Sequence, residues 1–440
     1  MNSVNEEVLT TESIPLANRN GFETFLVIMP SLFYTLITVF IETHFQLKKN
    51  VCLMLEMCLI ILPEILGMTL LSEYPGMILY TMLLISMFLL TWFYHKTMKL
   101  RKNIVFDSKF ITNSRSTINV LAVIAILAVD FDAFPSRFAK TESLGYSLMD
   151  TGVGLYVFAN GIVSPESRGV RNPITRSIKG SLALLIIGIG RFILLRIFHY
   201  HVPASEYGVH WNFFITLGVT KVFTSFFLNV FNVKHMYMNA LMLLMAHEML
   251  LESGLKQFVF EDSPRDNFFK ANKEGIVSSL GFVVLYLFSV YFGYILNIKD
   301  KNQSVFKVFR KHLIAVCLSL CFSVVFQHCF GISRRLANGA YIGWILFLGI
   351  FCQTIFYLVQ VCQKAFFRTD IVQVPYINEA VNYNGLVFFL VANVLTGVVN
   401  LVINTREYSD FQAFTIVVGY MTINILVVSY LYAKGIQLKF

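Results

Sequence analysis

The chain has 440 residues, of which 56% are hydrophobic, 15% aromatic and 14% charged, with a formal net charge of +9. A soluble domain carries about 25% charged residues, so this balance excludes an ordinary soluble enzyme and points to a polytopic membrane protein. The positive charge belongs mainly to the connections between apolar runs, and it does not point to nucleic acid.

The first twenty residues are polar and contain Glu6, Glu7 and Glu12. They lack the basic n-region and small-residue cleavage site of a secretory signal. A short polar tail over 1–23 is therefore expected, followed by a first span that acts as an uncleaved signal anchor. Runs of roughly 17–25 mostly apolar residues, bounded by charges or turns, mark candidate membrane helices. They fall at 24–43, 51–72, 75–95, 116–134, 144–163, 180–202, 210–231, 236–253, 276–298, 308–331, 338–363, 384–404 and 412–433. The expected fold is thus all-α, with about thirteen transmembrane helices in one membrane domain over 24–435 and a short tail at 436–440. The run 236–253 is the weakest because it holds His247 and Glu248, and the second is broken by Glu56, Pro63 and Glu64. Eleven or twelve spans are the alternative counts. No period of 20–50 residues repeats, and no inverted pair of halves of the transporter kind is visible.

Lys and Arg in short loops favour the cytosolic side. The connections on the side of the C-terminus hold 22 of them, against 10 on the side of the N-terminus. This bias places the C-terminus in the cytosol and the N-terminus in the lumen. The sequon Asn302-Gln303-Ser304 then falls on the cytosolic side, where it stays unmodified. The seven cysteines lie in or at the ends of apolar runs and form no loop framework, so disulfides are not expected to organise the fold.

The most informative segment is Asp130 to Glu142, which carries three acids and two bases in thirteen residues directly after the apolar run 118–129. Charges at that depth are costly and usually face a cavity or a partner. Asp130 and Asp132 are expected inside the apolar pattern rather than past its end. Four further polar clusters sit at span ends: His199 to Asn212, Ala271 to Ile276, Ser333 to Tyr341, and Asn393 to Asn404. In the last of these, Asn393, Asn400 and Asn404 are expected on one helix face. The thirteen-span topology brings all five clusters to the lumenal side. Polar groups in hydrocarbon need partners, so a lumen-facing polar cavity is expected. No Walker loop and no Gly-x-Ser-x-Gly elbow occurs. His247-Glu248 lacks a second histidine four residues from His247, so a zinc site is not expected.

Ala-Ile-Leu-Ala-Val-Asp-Phe-x-x-Phe-Pro-x-Arg-Phe-Ala-Lys-Thr-Glu, from Ala125 to Glu142, resembles the signature of the PIG-W/Gwt family. Those are endoplasmic reticulum enzymes that acylate inositol in glycosylphosphatidylinositol precursors. Further blocks are similar: Ser147 to Gly154, Glu206 to Phe214, Ala271 to Ile276, and Arg335 to Tyr341. They run in the same order and with similar spacing over about residues 20–435. The departures are shorter loops and Ser136 where the family commonly has Arg. The resemblance implies transfer of a long acyl chain, usually palmitoyl, from acyl-CoA to an inositol hydroxyl of glucosaminyl-phosphatidylinositol, with acyl-CoA as co-substrate and no bound cofactor or metal. It implies Asp130 and Lys140 as the catalytic pair.

General chemistry agrees with that assignment. An inositol hydroxyl needs a base within hydrogen-bond reach, a role suited to a carboxylate raised in pKa by low dielectric. An ammonium can stabilise the oxyanion formed on the thioester carbonyl. Alternatively, Lys140 holds Asp130 ionised as an ion pair. Arg137, Asp132 and Glu142 are candidates for phosphate and headgroup contacts, and Asp150, His210, Asn212 and Asn338 for groups lining the cavity. A polytopic transporter or a scramblase would use the same polarity without acyl chemistry. Dependence on acyl-CoA separates these readings.

Overall fold

A computed structural model describes residues 21–45, 49–97, 107–197, 204–297, 300, 303–367 and 372–438. The polar tail at 1–20, His199, His201 and the sequon residue Asn302 lie outside the described residues. Among the described residues the chain is helical and has no strand. In chain order the helices are α1 (Gly21–Phe45), α2 (Lys49–Glu56), α3 (Leu62–Met68), α4 (Pro75–Thr97), α5 (Lys109–Ala128) and α6 (Leu148–Ile162). They continue with α7 (Ile174–Ile197), α8 (Phe213–Val230), α9 (Met236–Leu250), α10 (Lys256–Phe260), α11 (Phe268–Ala271) and α12 (Lys273–Leu296). The last are α13 (Val305–Phe330), α14 (Gly339–Phe367), α15 (Tyr376–Tyr383), α16 (Gly385–Val402) and α17 (Asp410–Ala433). A π turn over Met57–Ile61 joins α2 to α3 into one apolar rod.

Each expected span coincides with a helix, and eleven of the described helices are long and apolar enough to cross a membrane. The two that fall short are α6 and α9, of 15 residues each. At 1.5 Å per residue such a helix reaches about 22 Å, against a hydrocarbon core of about 30 Å. Both are stopped by local chemistry: α6 runs into Ser164-Pro165, and α9 into a π turn kinked at Gly254, whose φ is +127°.

Burial sorts the helices into two layers. In α1, α5, α12 and α14 most side chains are buried, whereas α4, α7 and α13 turn apolar residues such as Phe88, Ile186 and Leu318 outward. That outer apolar ring is the surface a bilayer would cover. Inside, small residues allow close approach. A Cβ at Gly281 of α12 would collide with the Ala337 carbonyl, so the turn before α14 rests directly on α12.

Start signals are local. Ser147 caps α6 by accepting from Asp150 N at 3.1 Å, Asn212 caps α8 by accepting from Phe214 N at 3.0 Å, and Ser409 forms a capping box with Gln412 on α17. Two expectations about ends are corrected. Helix α5 stops at Ala128, so Asp130 and Asp132 lie in the turn beyond it rather than inside the span. Helix α16 stops at Val402, so Asn404 leaves the face that Asn393 and Asn400 share and donates to Glu407 instead.

Candidate active site at one end of the helix bundle

The connection from α5 to α6 lies at the centre of a polar layer at one end of the bundle. It touches α1 and the α3–α4 loop through Arg137, the 204–212 segment through Lys140, the 331–338 turn through Ser143 and Gly145, α16 through Asp130, and the α16–α17 turn through Asp132, while Asp150 in the first turn of α6 meets Arg334. His210 N in turn donates to Asn272 Oδ1 at 2.8 Å. All five polar clusters therefore meet.

Asp130 accepts from Asn400 Nδ2 at 2.8 Å. Burial pushes its carboxyl above the ordinary carboxylate value; the Asn400 hydrogen bond and the charges of Lys140 and Arg406 pull the other way without cancelling the shift. Lys140 donates to both carboxylate oxygens of Glu206 at 2.8 Å. Its direct anionic partner is thus Glu206, and Asp130 feels it only through space. Burial lowers Lys140 below the ordinary lysine value; Glu206 opposes that shift, while Arg334 and Arg191 add to it. For Glu206, burial favours the neutral acid, but Lys140, Arg334 and Arg191 outweigh it and hold the carboxyl below its ordinary value. The Lys140 side chain keeps 34% exposure and that of Glu206 keeps 21%, so the pair borders accessible space.

The loops that carry these groups are built tightly. Gly208 adopts φ +117°, a conformation that favours glycine, and a Cβ there would lie 2.6 Å from Asn272 Cα. Val209 N donates to Ala271 O at 2.8 Å and Gly275 N to Tyr207 O at 2.9 Å. Glu206 is thereby pinned to the start of α12. Burial pushes the Tyr207 phenol up to about 12, and the Arg334 guanidinium lies 5.8 Å from its ring.

A second ion pair closes the floor. Arg334 Nε donates to Asp150 Oδ1 at 2.8 Å, with side-chain exposures of 4% and 1%. Asp150 also accepts from Thr141 N and, at 2.8 Å, from Thr141 Oγ1. Burial works against the Arg334 charge, yet Asp150, Tyr207, Glu206 and Tyr341 together outweigh it and hold the guanidinium above its ordinary value. Next to this pair, Ala337 takes a left-handed φ of +46°. The turn is clamped by His247 Nε2, 3.1 Å from Leu336 O, and by Glu248, which accepts from Gly339 N. The intramembrane His-Glu pair thus has a structural occupation, and no group of metal-binding side chains occurs among the described residues.

The remaining candidates separate in the same way. Arg137 is held by Glu23 and Glu73 at 2.8 Å each and by Ser72 O at 3.1 Å. Asp132 is exposed and lies 3.9 Å from Arg406. Glu142 is exposed at the surface, and its carbonyl accepts from Arg335 at 2.6 Å. His210 is exposed, with its ring centroid 5.3 Å from that of Phe192. Asn212 is spent on the α8 cap and on Gly188 O. Asn338 accepts from Ser333 N and Tyr341 N and donates to Gly331 O, so it ties the turn before α14. Glu206, Arg334 and Asn400, absent from the expected site residues, are the groups that directly hold Lys140, Asp150 and Asp130. Each lay inside a polar cluster visible in the sequence, yet no spacing rule pairs residues 66, 184 or 270 positions apart.

Comparison with known proteins follows this geometry. A family model described as GWT1 matches residues 17–431. The chain is 34% identical over 341 residues to GPI-anchored wall transfer protein 1 of Schizosaccharomyces pombe, covering 75% of this chain and 73% of the relative. It is 32% identical over 393 residues to the protein of the same name from Saccharomyces cerevisiae, covering 79% and 78%. An uncharacterized protein of Arabidopsis thaliana is 32% identical over 396 residues, covering 88% of each chain.

Proposed function

The chain belongs to the GWT1 family, and from that premise we propose that it moves a long acyl chain, palmitoyl in the first instance, from acyl-CoA to an inositol hydroxyl of glucosaminyl-phosphatidylinositol. Membership of a family of GPI-anchored wall transfer proteins supports a transferase role in GPI-anchor biosynthesis. The reading puts the protein in the endoplasmic reticulum membrane, with the Asp130 end facing the lumen. The observation that carries the chemistry is the presence, at that end, of a carboxylate raised by burial and a partly exposed lysine whose charge acts on it.

Asp130 takes the proton of the inositol hydroxyl as its oxygen attacks the thioester carbonyl. A C–O bond forms, and the carbonyl oxygen becomes an oxyanion beside the Lys140 ammonium. That preorganised charge lowers the barrier without reorganisation during the reaction. The C–S bond then breaks, and the CoA thiolate leaves as the thiol with the proton. Nothing is oxidised or reduced, and no covalent acyl-enzyme is required. Asn400 orients the base, and Glu206 holds the lysine.

The test is incorporation of labelled palmitoyl-CoA into glucosaminyl-phosphatidylinositol by membranes that contain the protein. A labelled, phospholipase-C-resistant product that disappears in Lys140→Ala supports the proposal. Absence of product from well-expressed wild-type protein overturns it.

A further inference from the structure

Three carboxyl groups are buried within the first two apolar rods, Glu42 in α1 and Glu56 and Glu64 in the rod built from α2 and α3. Glu56 is satisfied, because its two oxygens accept from Tyr376 N and Ile377 N in the first turn of α15, at 2.6 Å each. Glu42 neighbours Glu56 and Cys52. Glu64 differs from both. It keeps 4% exposure, and neither of its carboxyl oxygens has a hydrogen-bond partner among the described residues. No lysine or arginine among them acts on its charge. A carboxyl left alone at membrane depth is costly, and acids of this kind mark ion and proton sites.

Glu64 lines a small cavity between α1 and α3, bordered also by α4 and α5. Its volume is about 10 Å³, room for one water-sized particle. Oxygen atoms gather around it. Ser31 acts on Glu64 without a hydrogen bond to it, and Glu64 in turn acts on Tyr34; both hydroxyl residues line the cavity. Pro30, inside α1, has no N–H. It therefore leaves the carbonyl of Leu26, four residues earlier, without the usual helical donor, and Leu26 and Pro30 line the same cavity. On the facing wall Pro63 adjoins Glu64, one residue after the π turn Met57–Ile61. Such turns recur at functional sites.

We propose that Glu64 binds a sodium ion in this cavity, with the Ser31 and Tyr34 hydroxyls and the Leu26 carbonyl as neutral oxygen donors. Carboxylate, hydroxyl and carbonyl oxygens suit hard cations. One carboxylate balances one positive charge, whereas a divalent ion would leave a buried net charge. The single small space fits sodium better than the larger potassium ion. Backbone carbonyls freed where intramembrane helices are interrupted are a recurrent source of sodium ligands. The ion would tie α1 to α3 just before the loop whose Ser72 carbonyl and Glu73 hold Arg137.

The experiment is thermal unfolding of the full-length protein in nanodiscs, with sodium, potassium or choline chloride at constant ionic strength. Replacing choline by sodium should raise the unfolding midpoint by about 2–4 °C in a saturable manner, and potassium should raise it less. Glu64→Gln should abolish the sodium response. Tyr34→Phe keeps the carboxylate and removes one neutral donor, so half-saturation should move to about 5- to 10-fold higher sodium. That variant carries the test if Glu64→Gln does not fold. Equal wild-type midpoints in sodium and choline overturn the inference and leave Glu64 as a neutral buried acid. A sodium response that survives in Glu64→Gln, or an unmoved half-saturation in Tyr34→Phe, overturns it as well, since the ion then binds elsewhere. A potassium response of equal size overturns the assignment to sodium.

Discussion

Two ion pairs at the same end of the bundle share a 2.8 Å separation and differ in everything else. Arg334–Asp150 is sealed, and the aspartate also accepts from Thr141 N and Thr141 Oγ1; Lys140–Glu206 keeps about a fifth to a third of its side-chain surface open. A sealed pair with its hydrogen bonds met locks two loops together, since removing either partner strands a buried charge. An open pair in front of a raised carboxylate can exchange one partner for a substrate. Access rather than charge separates the two pairs.

Removing the base should have the largest effect. Asp130→Asn keeps shape and loses the proton acceptor, so transfer should fall about 10²- to 10⁴-fold, while expression and thermal stability in detergent stay at wild-type levels. Wild-type turnover by this variant would break the comparison at its functional side. On the structural side, Arg334→Met leaves Asp150 buried without its cation and should cost roughly 3–5 kcal/mol, read as a lowered unfolding midpoint. Little change there would mean that Asp150 is not the lock described.

Lys140→Ala should lower turnover about 10²- to 10³-fold, the range for removing one oxyanion-stabilising group. Stability should move far less than in Arg334→Met. Glu206→Gln sharpens the contrast through pH. Burial already lowers the Lys140 pKa, and Glu206 opposes that shift. Without the carboxylate the lysine loses its proton at lower pH, so the alkaline limb of the activity profile should move to lower pH. An unmoved limb would leave Glu206 with a packing role alone. The smallest effect belongs to Arg137→Gln. Its partners Glu23 and Glu73 both keep part of their surface in solvent, and such pairs contribute about 0.2–1 kcal/mol each, so the unfolding midpoint should shift less than in Arg334→Met.

Much of this was legible in the residues. Apolar length located every helix that the expected spans named, because a bilayer demands long uninterrupted helices. Caps such as Asn212 act within four residues and are readable locally. The five polar clusters are visible in the sequence, and the structure brings them to one end of the bundle. The helices end before Asp130 and Asn404, earlier than hydropathy suggests, because a turn that starts with an aspartate or asparagine can carry apolar neighbours such as Phe131 and Phe134.

The sequence by itself determined the all-α membrane class, the order of the helices and the segment that carries Asp130 and Lys140. Those properties depend on hydropathy and on neighbours within a few residues. Only the tertiary structure decided the partners: Glu206 for Lys140, Asn400 for Asp130, Arg334 for Asp150, and Asn382 for Arg115. Partner choice is set by which loops the packed helices bring to one end, and by how much space is left around each charge. That depends on contacts between residues hundreds of positions apart, which local pattern does not encode.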